Sequence, residues 1–281
     1  MADTHRAQDH LPTGPIWPGG LSKQGPHRVG AFATCPQLEG FAHDLHLRPS
    51  VEKIAPAVGN LVHVGLAYRY GQLLQNRPPW LVYNSGREAL WICGYNNPEA
   101  REEALRVFDA YEAYYQTNAW TPLLVEHQFE VTIENEPYTA RTDLLAVENG
   151  EVVLVDHKTC RKITSNIGRS YRADRQMLTG LALARAAGWD VRRVIINALS
   201  KEHPVPRFGR FDVPISHVAY ARLGEDTAYV LRQMKATRIA YPDPTNRPRN
   251  WDACVRKYGV CEFYPVCSEG NEQLIEYVRR T

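Results

Sequence analysis

The chain has 281 residues, 44% apolar and 23% charged, with a formal net charge of +2. That size and balance fit one large or two small globular domains and exclude a mainly disordered or collagen-like chain. No run of about 18 apolar residues occurs, so no membrane-spanning helix is expected, and the N-terminus lacks the apolar core of a secretory leader.

Residues 1–28 are rich in Pro, Gly and His without periodicity and read as a mobile tail; 29–281 read as a single domain. A helix is expected over 54–75, with Leu61, Val62, Leu66, Tyr70 and Leu73 on its apolar stripe. A second is expected over 98–118, with Pro98 in its first turn and Glu99, Glu102 and Glu103 near the positive end of its dipole. From Leu123 to Ile133 the period changes to two: Leu123, Val125, Phe129, Val131 and Ile133 fall on one side, Glu126, Gln128 and Glu130 on the other. "ENEP" turns the chain into a strand over Thr139–Val147, and "ENG" turns it into another over Val152–Asp156. A helix over 168–187, stopped at Gly188, leads to the strand "DVRRVIINAL" and a short strand in "FGRFDVPI". A long helix over 216–240 and the connector "YPDPTNRPRN" precede a cysteine-rich end with few apolar anchors. This order predicts an α/β fold, a mixed central sheet flanked by helices.

The stretch "VVLVDHKTC" concentrates the chemistry. Four apolar residues form a buried strand that ends on Asp156, His157 and Lys158. Strand side chains alternate, so Asp156 and Lys158 project to one side. A plain ion pair would account for these two alone. Asp143, in the preceding antiparallel strand, adds a second carboxylate beside Asp156. Two carboxylates and a lysine suit a Mg²⁺ site acting on phosphodiesters: Mg²⁺ prefers hard oxygen ligands, and it offsets the repulsion between neighbouring acids. Lys158 to Arg175 carries Lys158, Arg161, Lys162, Arg169, Arg172 and Arg175 against one acid, Asp174. Such a run is either a solvated face or a rim that contacts phosphates.

"TARTDLLAVENGEVVLVDHKT" resembles the core of the PD-(D/E)xK nucleases, with Asp143 as first acid and Asp156 and Lys158 as the (D/E)-x-K pair. "GNLVHVGL" is similar to the G-x-x-x-H-x-x-L element of the RecB-like branch, and "YRADRQMLTG" to its Q-x-x-x-Y helix. The chain departs from the pattern at Ala140, where the family has Gly, and at Gly180, where it has Tyr. The resemblance implies a restriction-endonuclease-like core in which Asp143, Asp156, Lys158 and Gln176 are catalytic. It implies that Mg²⁺ or Mn²⁺ is held by His63, Asp143, Asp156 and the backbone carbonyl of His157. It further implies DNA contacts from Arg161, Lys162, Arg169, Arg172 and Arg175, with Glu126 and Tyr171 as accessory candidates.

Six cysteines without a leader peptide argue for ligation over a disulfide framework. Cys35 in "FATCPQLEGF" precedes the first core helix, and "CVRKYGVCEFYPVC" supplies Cys254, Cys261 and Cys267. One distant N-terminal cysteine and three near the C-terminus resemble the iron–sulfur arrangement of AddB-type helicase–nucleases and CRISPR adaptation nucleases, though with a wider first spacing. Four thiolates suit a 4Fe–4S cluster held by Cys35 and the 250–268 segment; zinc is the alternative. No G-x-x-x-x-G-K-[ST] occurs, so no helicase motor is expected.

The expectation is a metal-dependent DNA nuclease, an exonuclease on single strands or DNA ends. Its settings would be recombination, repair, phage DNA processing or CRISPR prespacer trimming. It would work alone or with protein partners, in the cytoplasm or, if phage-encoded, the host cytoplasm. The alternatives are a restriction-type endonuclease, a non-catalytic DNA-binding iron–sulfur subunit and an iron–sulfur redox sensor.

Overall fold

A computed structural model describes residues 24–115, 117–256 and 259–279. In chain order its elements are α1 (Pro26–Thr34), α2 (Pro36–Glu39), a π-helical turn (Gly40–Asp44), β1 (Leu47–Pro49), α3 (Ile54–Leu74), α4 (Pro79–Cys93), α5 (Pro98–Tyr114), β2 (Thr121–Ile133), β3 (Glu136–Glu148) and β4 (Glu151–Cys160). There follow α6 (Ile167–Ser170), α7 (Arg175–Ala186), β5 (Val191–Ser200), β6 (Phe208–Asp212), α8 (His217–Ala240), β7 (Val255–Arg256), β8 (Gly259–Val260), α9 (Tyr264–Glu269) and β9 (Tyr277–Arg279). The contacts define two compact units. Among described residues, one comprises Lys53–Phe129 and Ala140–Tyr220; the other comprises the described parts of Leu21–Glu52, Glu130–Thr139 and Ala221–Thr281. Residues 1–23 of the expected tail lie outside the described residues, and the chain is helical from Pro26.

The first unit is built on a five-stranded sheet in the order β2-β3-β4-β5-β6. β3 and β4 are antiparallel, β4 and β5 parallel, β5 and β6 antiparallel, which is the expected mixed sheet. The β3–β4 turn is Asn149-Gly150, both at positive φ, the two-residue geometry that follows the right-handed strand twist. The parallel return from β4 to β5 needs a crossover, which α6 and α7 supply.

The apolar run "VVLV" is explained by cover on both faces of β4. Val153 and Val155 pack in a core with Val58, Leu61, Val62, Leu66 and Tyr70 of α3 and Val107, Phe108 and Tyr111 of α5. Leu154 meets α7, where a Cβ on Gly180 would stand 3.2 Å from its Cδ2. A side chain at position 180 would therefore press on Leu154.

The helices of the first unit differ from expectation at three places. The helix over 98–118 ends at Tyr114. The helix over 168–187 is two pieces, α6 and α7, separated by residues 171–174, because Asp174 caps a new start: its side chain accepts from the Met177 N–H. Between the first two expected helices lies a third, α4, opened by Pro79 at N1.

In the second unit, Thr227, Leu231 and Met234 are the buried face of α8. Phe41, Ala42, Phe263 and Val266 form a small core with Leu274 and Tyr277 against it. Phe263 stands 5.2 Å, ring centre to ring centre, from both Phe41 and Tyr277. This corrects the reading of the C-terminal segment as poor in apolar anchors. β9 pairs with β1, again tying the end of the chain to its first quarter. Among the described residues no helix is long and apolar enough to cross a membrane.

Candidate active site

β3 and β4 stay paired up to Leu144 and Val155, the pair that immediately precedes the two acids. Beyond that point a side chain takes over from the ladder: the His157 N–H donates to Asp143 Oδ2 at 2.7 Å. Satisfying a buried amide in this way fixes the first acid beside the end of β4.

Asp156 and Lys158 lie on one side of β4, as alternation predicts. Lys158 Nζ is 2.8 Å from Asp156 Oδ2. Gln176, in the first turn of α7, bridges the two: its Nε2 donates to Asp156 Oδ1 at 3.0 Å, and its Oε1 accepts from Lys158 Nζ at 3.1 Å. The break between α6 and α7 leaves Tyr171 beside this trio, with Lys158 Nζ 5.9 Å from its ring centre. Burial raises the Tyr171 phenol above its ordinary pKa.

His63 reaches Asp143 from α3, Nδ1 to Oδ2 3.5 Å. The helix comes close enough because Gly59 has no side chain: a Cβ there would stand 2.8 Å from Thr159 Oγ1 on β4. The glycine of "GNLVHVGL" is thus a close-approach residue, one helical turn before the histidine it positions.

Glu126 departs from simple alternation. It sits at φ +48° inside β2, and the break leaves both Leu124 and Val125 buried. Burial, then the Asp143 charge, push the Glu126 carboxyl up to about 8, against the opposing charge of Arg141. Burial, opposed by Lys158 and reinforced by Asp143, pushes Asp156 up to about 6. Burial would also raise Asp143, but His63, Lys158 and the hydrogen bond from the His157 N–H outweigh it and hold that carboxyl below the ordinary range. Lys158 is itself buried, yet Asp156 and Asp143 raise its pKa and keep it an ammonium. The His157 ring lies on the other face of β4, where burial pushes it down to about 3, so it is neutral.

The structure therefore brings His63, Asp143, Asp156, Lys158 and Gln176 together, with Glu126 and Tyr171 at the margin. Among the described residues no group of three or more His, Cys, Asp or Glu has the arrangement of a formed metal site. The donor chemistry does fit a hard divalent cation. Three carboxylates sit close enough to perturb one another, and the buried Asp156 Oδ2 forms no proper hydrogen bond, with the Lys158 ammonium in ion-pair contact. Of the basic run, Arg161, Lys162, Arg169 and Arg172 are exposed, and Arg175 is the half-buried first residue of α7.

In the second unit, Cys35, Cys254, Cys261 and Cys267 line one concavity together with Leu38, Arg249, Asn250, Ala253, Phe263 and Tyr264. None of the four is in a disulfide. Cys35 Sγ accepts from the Asn250 N–H at 3.4 Å, and the Cys261 N–H donates to the Cys254 carbonyl at 2.7 Å. Burial raises the Cys267 thiol, with Arg249 opposing it and Cys35 and Cys261 adding to it. Cys93 and Cys160 lie in the first unit, and burial raises both thiols, which makes them poor nucleophiles.

The model of the PD-(D/E)XK nuclease superfamily matches residues 25–268, and the chain belongs to that superfamily. Among solved structures, a protein of Eubacterium rectale described as "Putative exonuclease" is 12% identical, with a TM-score of 0.53 over 82% of this chain and 85% of that one. At that identity the match shows a shared fold. A second, SSO0001, is 16% identical over 83% of this chain and 94% of that one, with a TM-score of 0.34, too low for an argument about fold. No curated protein matches the chain.

Proposed function

We propose that this nuclease acts on DNA as a divalent-metal-dependent exonuclease, shortening single strands or ends. The observation that carries the reading is the ring of Asp156, Lys158 and Gln176 set beside Asp143, in a member of a nuclease superfamily. Asp143, Asp156, His63 and the His157 carbonyl would hold Mg²⁺ or Mn²⁺, with Glu126 as an accessory acid. Such an ion supplies charge neutralisation at the phosphate and a more acidic water.

The chain's own groups supply the rest. Lys158, kept protonated, orients a water at Nζ and offsets negative charge on the phosphoryl oxygens as that water attacks phosphorus and the ester P–O bond breaks. Gln176 holds ammonium and carboxylate in register. Arg161, Lys162, Arg169, Arg172 and Arg175 would contact the phosphates of the incoming strand. The exonuclease reading is supported by the description of the Eubacterium rectale neighbour. Recombination, repair, phage DNA processing and prespacer trimming all need this activity.

We further propose that the four-cysteine concavity holds a 4Fe–4S cluster as a structural staple. The support is the convergence of Cys35 with three cysteines more than 200 positions away in sequence. Anaerobically purified protein should contain about four irons per chain and be brown; a colourless protein with one zinc would overturn this.

The activity test uses 5′- and 3′-labelled linear DNA and RNA, single- and double-stranded, and circular single-stranded DNA, with Mg²⁺, Mn²⁺ or EDTA. Linear single-stranded DNA should shorten progressively with either metal and stay intact in EDTA, while circles survive. Cleaved circles would overturn the exonuclease reading, and metal-independent cleavage would overturn the metal.

A further inference from the structure

The middle residue of the Asp156–Lys158 segment points away from the proposed chemistry, yet it is the most elaborately held side chain near it. The His157 ring is buried at 2% exposure. It stacks on Tyr70, centroids 5.5 Å apart and planes within 13°. It stands nearly perpendicular to the His63 ring, centroids 6.0 Å apart. Its Nδ1 is 2.9 Å from Nδ2 of Asn197, its register partner across the parallel β4–β5 pair. Asn197 Nδ2 also donates to the Tyr111 hydroxyl at 3.1 Å, and that hydroxyl lies 2.8 Å from the Tyr70 hydroxyl. The chain Tyr70–Tyr111–Asn197–His157 closes on itself, since Tyr70 both ends it and stacks on the ring.

This network is costly to the fold. Asn197 is fully buried, and its Oδ1 has no hydrogen-bond partner. An orphaned buried carbonyl costs about 1–3 kcal/mol, and an apolar residue of the same shape would avoid that. A polar residue kept at a penalty in the middle of a core points to a role other than stability.

We propose that Asn197 is a positioning residue for Asp143. By holding the His157 ring against Tyr70, it fixes the peptide whose N–H donates to Asp143 Oδ2. Asp143 meets His63 through the same oxygen. The position of the first acid is thus set from behind the sheet, through a ring that touches neither substrate nor metal. This rests on the reading of Asp143 as a metal ligand. Partners of this kind typically tune metal affinity by about 10–100-fold.

The test uses the full chain with Asn197→Leu, and Tyr111→Phe as the milder variant that decides if the first does not fold. Amide hydrogen exchange at His157 is compared with that at Val153 and Val155, and Mn²⁺ binding is measured by calorimetry without DNA. Asn197→Leu should speed exchange at His157 by tenfold or more while Val153 and Val155 keep their protection. It should weaken Mn²⁺ binding by about tenfold. Tyr111→Phe should move both in the same direction by less. Faster exchange spread evenly along β4, or full Mn²⁺ affinity with His157 exchange unchanged, would overturn the proposal. A wild type that neither bound Mn²⁺ nor cleaved DNA would instead overturn the nuclease reading, and His157 exchange would still decide whether Asn197 holds that peptide.

Discussion

Two clusters of buried acids, one in each unit, show opposite electrostatic balances. In the first unit Glu126, Asp143 and Asp156 face two cations, Lys158 and Arg141, and two of the three carboxyls are pushed upward. In the second unit Glu39 and Asp44 face three guanidiniums. Glu39, with no exposed surface, accepts from Arg28 at 2.6 Å, Arg238 at 2.9 Å and Arg247 at 2.5 Å. Asp44 pairs with Arg28 and Arg247, with Arg238 3.9 Å away. Burial would raise Asp44, but these arginines hold it below its ordinary range. Acids in excess of their cations are poised for a ligand; acids outnumbered by theirs are a clamp. The clamp joins α1, α2, the π-helical turn, α8 and the segment after it.

The difference should appear in opposite responses to neutralising one acid. Asp156→Asn should reduce cleavage by several orders of magnitude, about 4 kcal/mol or more of transition-state stabilisation. It should leave the unfolding midpoint unchanged or higher, because it removes a carboxylate buried at a penalty. Glu39→Gln should do the reverse in stability, costing roughly 3–5 kcal/mol in denaturant unfolding by leaving buried guanidiniums underpaired. If both substitutions destabilised equally, the site would be an ordinary ion pair and the contrast would fail.

The first cluster was readable in the sequence and the second was not, for a physical reason. Asp143, Asp156 and Lys158 sit on strands whose period-two pattern and short turns announce their register, so side and neighbour follow from counting. Glu39 meets Arg238 and Arg247 about 200 positions away, and no local pattern encodes which distant charge an acid will find. The π-helical turn that presents Asp44 gave no signal either. Helix α4 was hidden because its buried face, Val82, Gly86, Ala89 and Leu90, is half small residues, while the large apolar Trp80, Trp91 and Ile92 are exposed. Glu126 required a left-handed residue within a strand, which alternation cannot anticipate. The four cysteines were grouped by resemblance to an iron–sulfur arrangement, but only the folded chain places Arg249 and Asn250 among them.

A smaller effect separates the exposed cations near the first cluster from the buried ones of the second. Arg161, Lys162 and Arg172 are exposed, so replacing all three by Ala should leave stability within about 0.5 kcal/mol. If each contacts a phosphate of single-stranded DNA, the log–log dependence of affinity on salt should flatten by about 2, at roughly 0.7 per contact. Binding isotherms across a salt series read this directly. An unchanged slope would make the run a solvated face, and the basic rim would no longer belong to the site.

The smallest effect lies in the acid limb of stability, and its sign distinguishes the clusters. Asp44 has a folded pKa below its unfolded value, so below about pH 4 the unfolded chain binds more protons than the folded one. Its contribution is present above the unfolded pKa and is lost as pH falls through the lowered folded value. Glu126, at about 8, and Asp156, at about 6, are shifted the other way. The folded state holds their protons more tightly, so what they contribute is present below about pH 4 and is lost as pH rises toward 8. Unfolding midpoints of the metal-free protein at pH 3, 5 and 8 should therefore fall toward both ends. Asp44→Asn should flatten only the acid side, and Glu126→Gln only the side above pH 5. Divalent metal should mimic Glu126→Gln, restoring midpoints at pH 8 while leaving those at pH 3 unchanged, since the clamp has no place for a cation among its three guanidiniums. A metal effect of equal size at both ends would show that the two acid clusters are not distinct in kind.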